Sequence, residues 1–223
     1  MQPDALSERD VVRKAEALNE EIYQLCALVC GTVIISPDGE LDAALAKSAK
    51  MKARETIGTE LYDALRNSRQ GDNEALLQFA LQSAVSRLCE ARIGRWASGS
   101  PEMTTELRAA KDDNARLLTT DEVIGALVPI LRATIVGLTE ELWHDLHFGV
   151  CSQELDLTLP KAGDPYVSVE MSVEEGEAVE GEKVVAGVAL GFVRRAGLAH
   201  SHTLLSAMVL VEDTVRRLRA ASS

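Results

Sequence analysis

Positive charge is scarce in this chain. Of 223 residues, 23 are Lys or Arg against 35 Asp or Glu, a formal charge of −12 at neutral pH. Affinity for nucleic acid comes from clustered cations that neutralise phosphates, so this balance argues against a polyanion as the main partner. Small basic groups do occur, Lys47, Lys50, Lys52 and Arg54 in one stretch and Arg216, Arg217 and Arg219 in another. Both read as solvated helix faces balancing the acid. Long apolar runs are missing too. The stretch from Val123 to Leu138 is broken by polar residues, and nothing approaches the ~20 apolar residues of a membrane span. The opening MQPDALSERD has neither a basic n-region nor an apolar h-region, so no secretory signal is expected. An intracellular protein, cytoplasmic or nuclear, follows. Its four cysteines, Cys26, Cys30, Cys89 and Cys151, lie scattered. Cys26 and Cys30 are i,i+4 neighbours on one helix, without the geometry a disulfide prefers, so reduced, partly buried thiols are expected.

Catalytic signatures are absent as well. The chain has no G-x-S-x-G elbow, no G-x-x-x-x-G-K-[ST] loop, no G-x-G-x-x-G turn and no C-x-x-C pair, each of which carries a defined chemistry. No cofactor is expected, and no catalytic residue is assigned.

What is present is periodicity. Val11, Ala15, Leu18, Ile22, Leu25 and Val29 alternate steps of four and three, one narrow stripe on a helix of ~3.6 residues per turn. Ser7 ahead of Glu8 and Asp10 supplies its capping start. A seam this narrow resembles a coiled-coil face and wants a partner helix. Cys26 and Ala27 beside it widen the apolar surface, so packing within the chain is expected and a monomer is favoured over a homodimer. A second helical stretch, from Glu40 to Ser68, is weakened at Gly58 and expected to be bent or split there. A third carries Leu77, Leu81, Val85 and Leu88 on one face, with Trp96 near its end. Thr119 and Glu122 form a capping box before the most apolar helix, 123 to about 147, where Pro129 predicts a kink.

After Gly149 the repeat shortens to two. Leu155, Leu157 and Leu159, then Val167, Val169, Met171 and Val173, alternate with polar residues as half-buried strands do. KVVAGVALGFVR (183–194) and TLLSAMVLV (203–211) are two further apolar runs joined by RAGLAHSH as a hairpin loop, although the second also fits a helical period. The expected architecture is therefore mainly α: an irregular bundle of four to five helices over 1–150, with a small β hairpin region and a short C-terminal helix over 151–223 packed on it as one cooperative unit. The residues expected to be buried are Leu18, Ile22, Leu25, Leu81, Leu88, Leu131, Leu138 and Leu142.

The stretch EELWHDLHFG (140–149) gathers ligand-type side chains. On a wheel at ~100° per residue, Glu140, His144 and His147 lie within roughly 60° of each other, opposite the apolar direction of Leu138, Leu142 and Leu146. Helical bundles that hold metals aim such residues inward and use two Glu-x-x-His motifs. Glu141-x-x-His144 is the only one in the chain, so a solvated face is expected. The minority reading is a metal site of Glu140, Glu141, His144 and His147, which His200 and His202 would join if the segments met.

Three stretches, VVRKAEALNEEIYQL, IGTELYDALRNSRQGDNEALLQFALQSAV with GRW, and VCSQELDLTLPKAGDPY with EKVVAGVALGFVRR and TLLSAMVLV, resemble a group of uncharacterised proteins of mushroom-forming (basidiomycete) fungi. The resemblance implies an intracellular fungal protein and favours pairing the last two apolar runs as strands. It carries over no activity, cofactor or functional residue. The expected function is a non-enzymatic protein–protein interaction or regulatory module whose partner is a protein, with no nucleic acid and no membrane involved. The alternative is a metal-dependent enzyme using the Glu/His set at 140–147.

Overall fold

The computed structural model describes residues 7–32, 51, 53–67, 74–97, 137–142, 144, 154–196 and 200–221. Six helices appear among them: α1 (Glu8–Thr32), α2 (53–57), α3 (Thr59–Asn67), α4 (Glu74–Ala97), α5 (137–142) and α6 (Glu212–Ala221). Six strands form two three-stranded sheets: β1 (Glu154–Thr158), β2 (Met171–Val173), β3 (Val184–Ala189), β4 (Gly191–Ala196), β5 (His200–Leu205) and β6 (Ala207–Val211). This corrects the expectation of a mainly α bundle with a small β element. The C-terminal region is β-rich, and its strands supply much of the buried apolar surface. The helical period dominates the first two thirds of the sequence, whereas strands this short leave only brief period-two signals.

The chain divides into two compact units, Met1–Leu18 with Ala91–Ser152, and Asn19–Glu90 with Gln153–Ser223. In the first, α1 starts with the expected cap. Ser7 Oγ accepts the Asp10 N–H at 3.3 Å, and the Asp10 carboxylate accepts the Ser7 N–H at 3.2 Å and hydroxyl at 2.6 Å, a reciprocal closure of orphan helix donors. Val11, Ala15 and Leu18 are buried, as are Thr139 and Leu142 of α5.

In the second unit the sheets are linked through one long antiparallel ribbon. β4 pairs with β5 from Ala196↔His200 to Phe192↔Leu205, and β3 pairs with β6 from Ala189↔Met208 to Val184↔Val211. Both arms of the ribbon pass from the first sheet (order β1-β4-β5) to the second (β2-β6-β3) over single residues, Leu190 and Ser206. Register shifts beside this corner let the strands bend, as bulges do elsewhere. Gly191 is required there, because a Cβ would sit 2.5 Å from the Ala207 amide nitrogen. The two apolar runs are thus strands, and the second turns helical only at Glu212. The expected hairpin loop is shorter than RAGLAHSH, since β4 extends to Ala196 and β5 begins at His200. Strand character over 167–170 is also corrected: Val167 O accepts the N–H groups of Glu170 and Met171 in a turn, and only Met171–Val173 pair, in parallel with β6.

The second sheet is covered on one face by Ile57 of α2, Leu61 and Ala64 of α3, Leu76, Phe79 and Ala80 of α4 and Val215 of α6, which pack with Val185, Ala186, Val188 and Leu210. Tyr166 and Met171 pack with Val184, Val209 and Val211. β3 is therefore buried on both faces, which explains its unbroken apolar run. α2 and α3 are separated at Gly58, whose φ of 85° ends one helix before the next begins, as the split predicted there requires.

Leu18, Ile22 and Leu142 are buried as expected. Leu25, Leu81 and Leu138 are only partly so, Leu88 is 67% exposed, and Leu131 lies outside the described residues. On α4 the buried face instead runs through Leu76, Phe79, Ala80, Ser83, Ser86 and Cys89. Two serines on that face hid it from a hydrophobic count, and Ser86 meets its own requirement by donating to Val188 O at 2.9 Å. On α1 the stripe drifts from Leu25 and Val29 onto Cys26 and Cys30, which are buried. The capping box at 119–122, the kink at Pro129 and the side chain of Trp96 lie outside the described residues.

Candidate functional site

Three elements of the second unit enclose an open groove of about 240 Å³ lined by Glu60, Val185, Glu212, Val215, Arg216 and Arg219. Its floor is apolar, because Val185 at 1% and Val215 at 6% exposure belong to the core below. Its rim is charged. Glu60 stands in the first turn of α3 and Glu212 in the first turn of α6, where carboxylates suit the positive end of a helix dipole.

Lys183, the residue before β3, holds these two helix starts together. Its ammonium pairs closely with Glu60 and lies 3.5 Å from Glu212 Oε1, while its carbonyl accepts the Glu212 N–H at 3.3 Å. Hydrogen bonding to Glu60, reinforced by the charges of Glu60 and Glu212 and by a bond to Glu212, raises the Lys183 ammonium above its ordinary range. It stays protonated and cannot serve as an amine nucleophile or base near neutrality. Pairs this exposed add little stability, so their effect is to neutralise the glutamates and fix the wall.

The other wall is cationic. Arg216 pairs with Asp213 at 3.2 Å and has a side chain 72% exposed, and Arg219 donates to Asp63 O at 3.4 Å. Asp63 also takes Arg54 at 2.6 Å, whose guanidinium lies 5.2 Å from the Tyr62 ring centroid, a cation–π contact. The basic group at 216–219 was legible in the sequence as a helix face. Its place on a groove was not, since the Glu60–Lys183 contact joins residues 123 apart.

The predicted metal set is described in part. Glu140, Glu141 and His144 are exposed, Glu140 accepts from Arg92 at 3.0 Å, and His147 lies outside the described residues. His200 and His202 lie on strand β5 rather than in a loop, and His202 is exposed. Among the described residues no group of three or more His, Cys, Asp or Glu is placed to hold a metal ion. Cys26, Cys30 and Cys89 are buried, and none of the three is in a disulfide. Burial, then the neighbouring Cys30, pushes Cys26 up to about 12, and burial raises Cys30 as well. Neither offers a ready thiolate. Cys151 lies outside the described residues. Among the described residues, no helix is long and apolar enough to cross a membrane.

Comparison with protein-family models, with curated proteins and with solved structures finds no match.

Proposed function

We propose that the chain is a non-enzymatic protein-interaction module and that the groove between α3, β3 and α6 is its docking surface. One observation carries this reading: an apolar floor of Val185 and Val215 flanked by Arg216, well exposed although paired with Asp213 at 3.2 Å, and by Arg219, with both rim glutamates paired to Lys183. A volume of about 240 Å³ is smaller than the ~300–1,000 Å³ typical of small-molecule sites. It accommodates an apolar side chain or two of a partner segment, and the cationic wall selects acidic residues beside that anchor. The partner is thus a protein rather than nucleic acid or membrane, in line with the acidic chain as a whole. The buried stripe of α1 supports packing of that helix within its own chain, and so a monomer rather than a dimer built on that seam.

Affinity capture with quantitative mass spectrometry on the wild-type chain, on Arg216→Glu/Arg219→Glu and on a Leu88→Ser control tests it. The expected result is a protein retained by wild type and control and lost from the groove variant. Identical sets on all three overturn the reading.

A further inference from the structure

The segment most complementary to the groove belongs to the chain itself. Between Lys161 and Lys183 there is no basic residue, and Glu170, Glu174, Glu175, Glu177, Glu180 and Glu182 crowd the interval. Within it stand two exposed apolar side chains, Val169 at 72% and Val179 at 74%. The segment is held firmly. Ser168 N–H donates to Glu180 Oε2 at 3.0 Å, which ties together the turns that carry the two valines, and Val179 N–H donates to Glu182 Oε2 at 3.1 Å. Gly181 N–H donates to Tyr166 O at 2.8 Å, and Gly176 and Gly181 take positive φ at the turns. A loop held by these bonds thus presents exposed apolar side chains among carboxylates, complementary to an apolar floor with Arg216 and Arg219 on one wall and the Lys183-paired Glu60 and Glu212 on the other.

The loop and the groove lie on opposite flanks of α6. Asp213, Thr214 and Arg217 bond the loop through Glu175 O and Glu182 Oε1, whereas Glu212, Val215, Arg216 and Arg219 line the groove. At ~100° per residue the two sets centre roughly 160° apart around the helix. Loop and groove are distinct surfaces of one chain flanking a single helix, so a two-fold pairing that seats each loop in the other copy's groove makes two identical contacts, as an isologous pair requires.

We infer that the occupant of the groove is the acidic loop of a second copy of this chain, with Val179 seated between Arg216 and Arg219 over Val185 and Val215. This rests on the groove being an interaction surface, as proposed above, and adds its partner. The contact area is small and the charges exposed, so the pairing is weak, reversible and sensitive to salt.

Sedimentation velocity of the full chain over a concentration series reads it directly. Wild type shows a concentration-dependent monomer–dimer equilibrium that salt weakens. Val179→Asp and Arg216→Glu, both changes of well-exposed side chains that leave the core untouched, each weaken the dimer about tenfold. The charge exchange Glu177→Arg/Arg216→Glu recovers a substantial part of that loss. A dimer that both single variants leave intact, or a charge exchange that restores nothing, overturns the inference. A wild-type chain monomeric throughout also overturns it, and leaves the groove itself to be judged by the capture comparison.

Discussion

The side-chain amide of Asn19 closes both backbone groups of Leu190: Nδ2 donates to Leu190 O at 2.8 Å, and Leu190 N–H donates to Oδ1 at 3.0 Å. Leu190 is the residue over which the ribbon leaves one sheet for the other. At that step it belongs to neither named strand, and a fully buried residue must still pair its polar groups. Asn19 does for Leu190 what a neighbouring strand does elsewhere. Asn19→Ala leaves both groups unpaired and should lower stability by about 2–4 kcal/mol, read from the urea midpoint. Asn19→Leu tests whether the effect is pairing rather than bulk, and should be no better than alanine.

The same corner fixes a glycine. Gly191→Ala places a Cβ 2.5 Å from Ala207 N and 2.7 Å from Thr158 Oγ1, both on neighbouring strands. A loss of about 2–3 kcal/mol is expected in thermal or urea unfolding. Gly31→Ala near the end of α1 meets nothing within 4 Å and should be neutral or stabilising by up to ~1 kcal/mol. Equal effects at the two positions would refute the close approach.

Much of this was visible in the residues and some could not be. Helix α1 with its Ser7 cap, the weak point at Gly58 and the apolar runs at 183–194 and 203–211 follow from capping, glycine and composition, all short-range signals, although the second run fitted a helical period equally well and its strand character is settled only in the fold. The switch between sheets did not, because its determinants are Gly191, a register shift and Asn19, which lies 171 residues from Leu190. The buried face of α4 was missed because Ser83 and Ser86 occupy it. The groove was missed for a similar reason: Glu60, Lys183 and Glu212 are ordinary surface charges until the chain folds them together.

Glu90 gives stability a predictable pH dependence. Burial raises its carboxyl above the ordinary range, against the pull of Arg87 and Lys161. A raised acid means that the fold favours the protonated form, so its contribution is fully present below the unfolded value of 4.5 and is lost as pH rises through the folded one. Glu90→Gln should therefore gain stability over wild type at about pH 7, and the gain should shrink at about pH 4. A variant less stable than wild type at neutral pH would show that the Arg87 pair, 3.9 Å long, outweighs burial.

Thiol chemistry is suppressed in the native state. With Cys26 pushed up to about 12 and 4% exposed, alkylation of the folded chain should leave Cys26 unmodified, and modification should appear only on unfolding. Peptide mass spectrometry after iodoacetamide treatment in buffer and in urea distinguishes the two. Rapid native labelling at Cys26 would contradict its burial.

The claim on which the functional account turns is that another protein surface sits in the groove between α3, β3 and α6. Site-specific photocrosslinking tests it most directly, with a photoreactive residue placed at position 216 on the groove rim or at the exposed position 24 on α1. A discrete adduct from 216 and none from 24 is the predicted result, with an adduct of twice the chain's mass if the partner is a second copy. Adducts from 24 alone, or the same products from both positions, would contradict it.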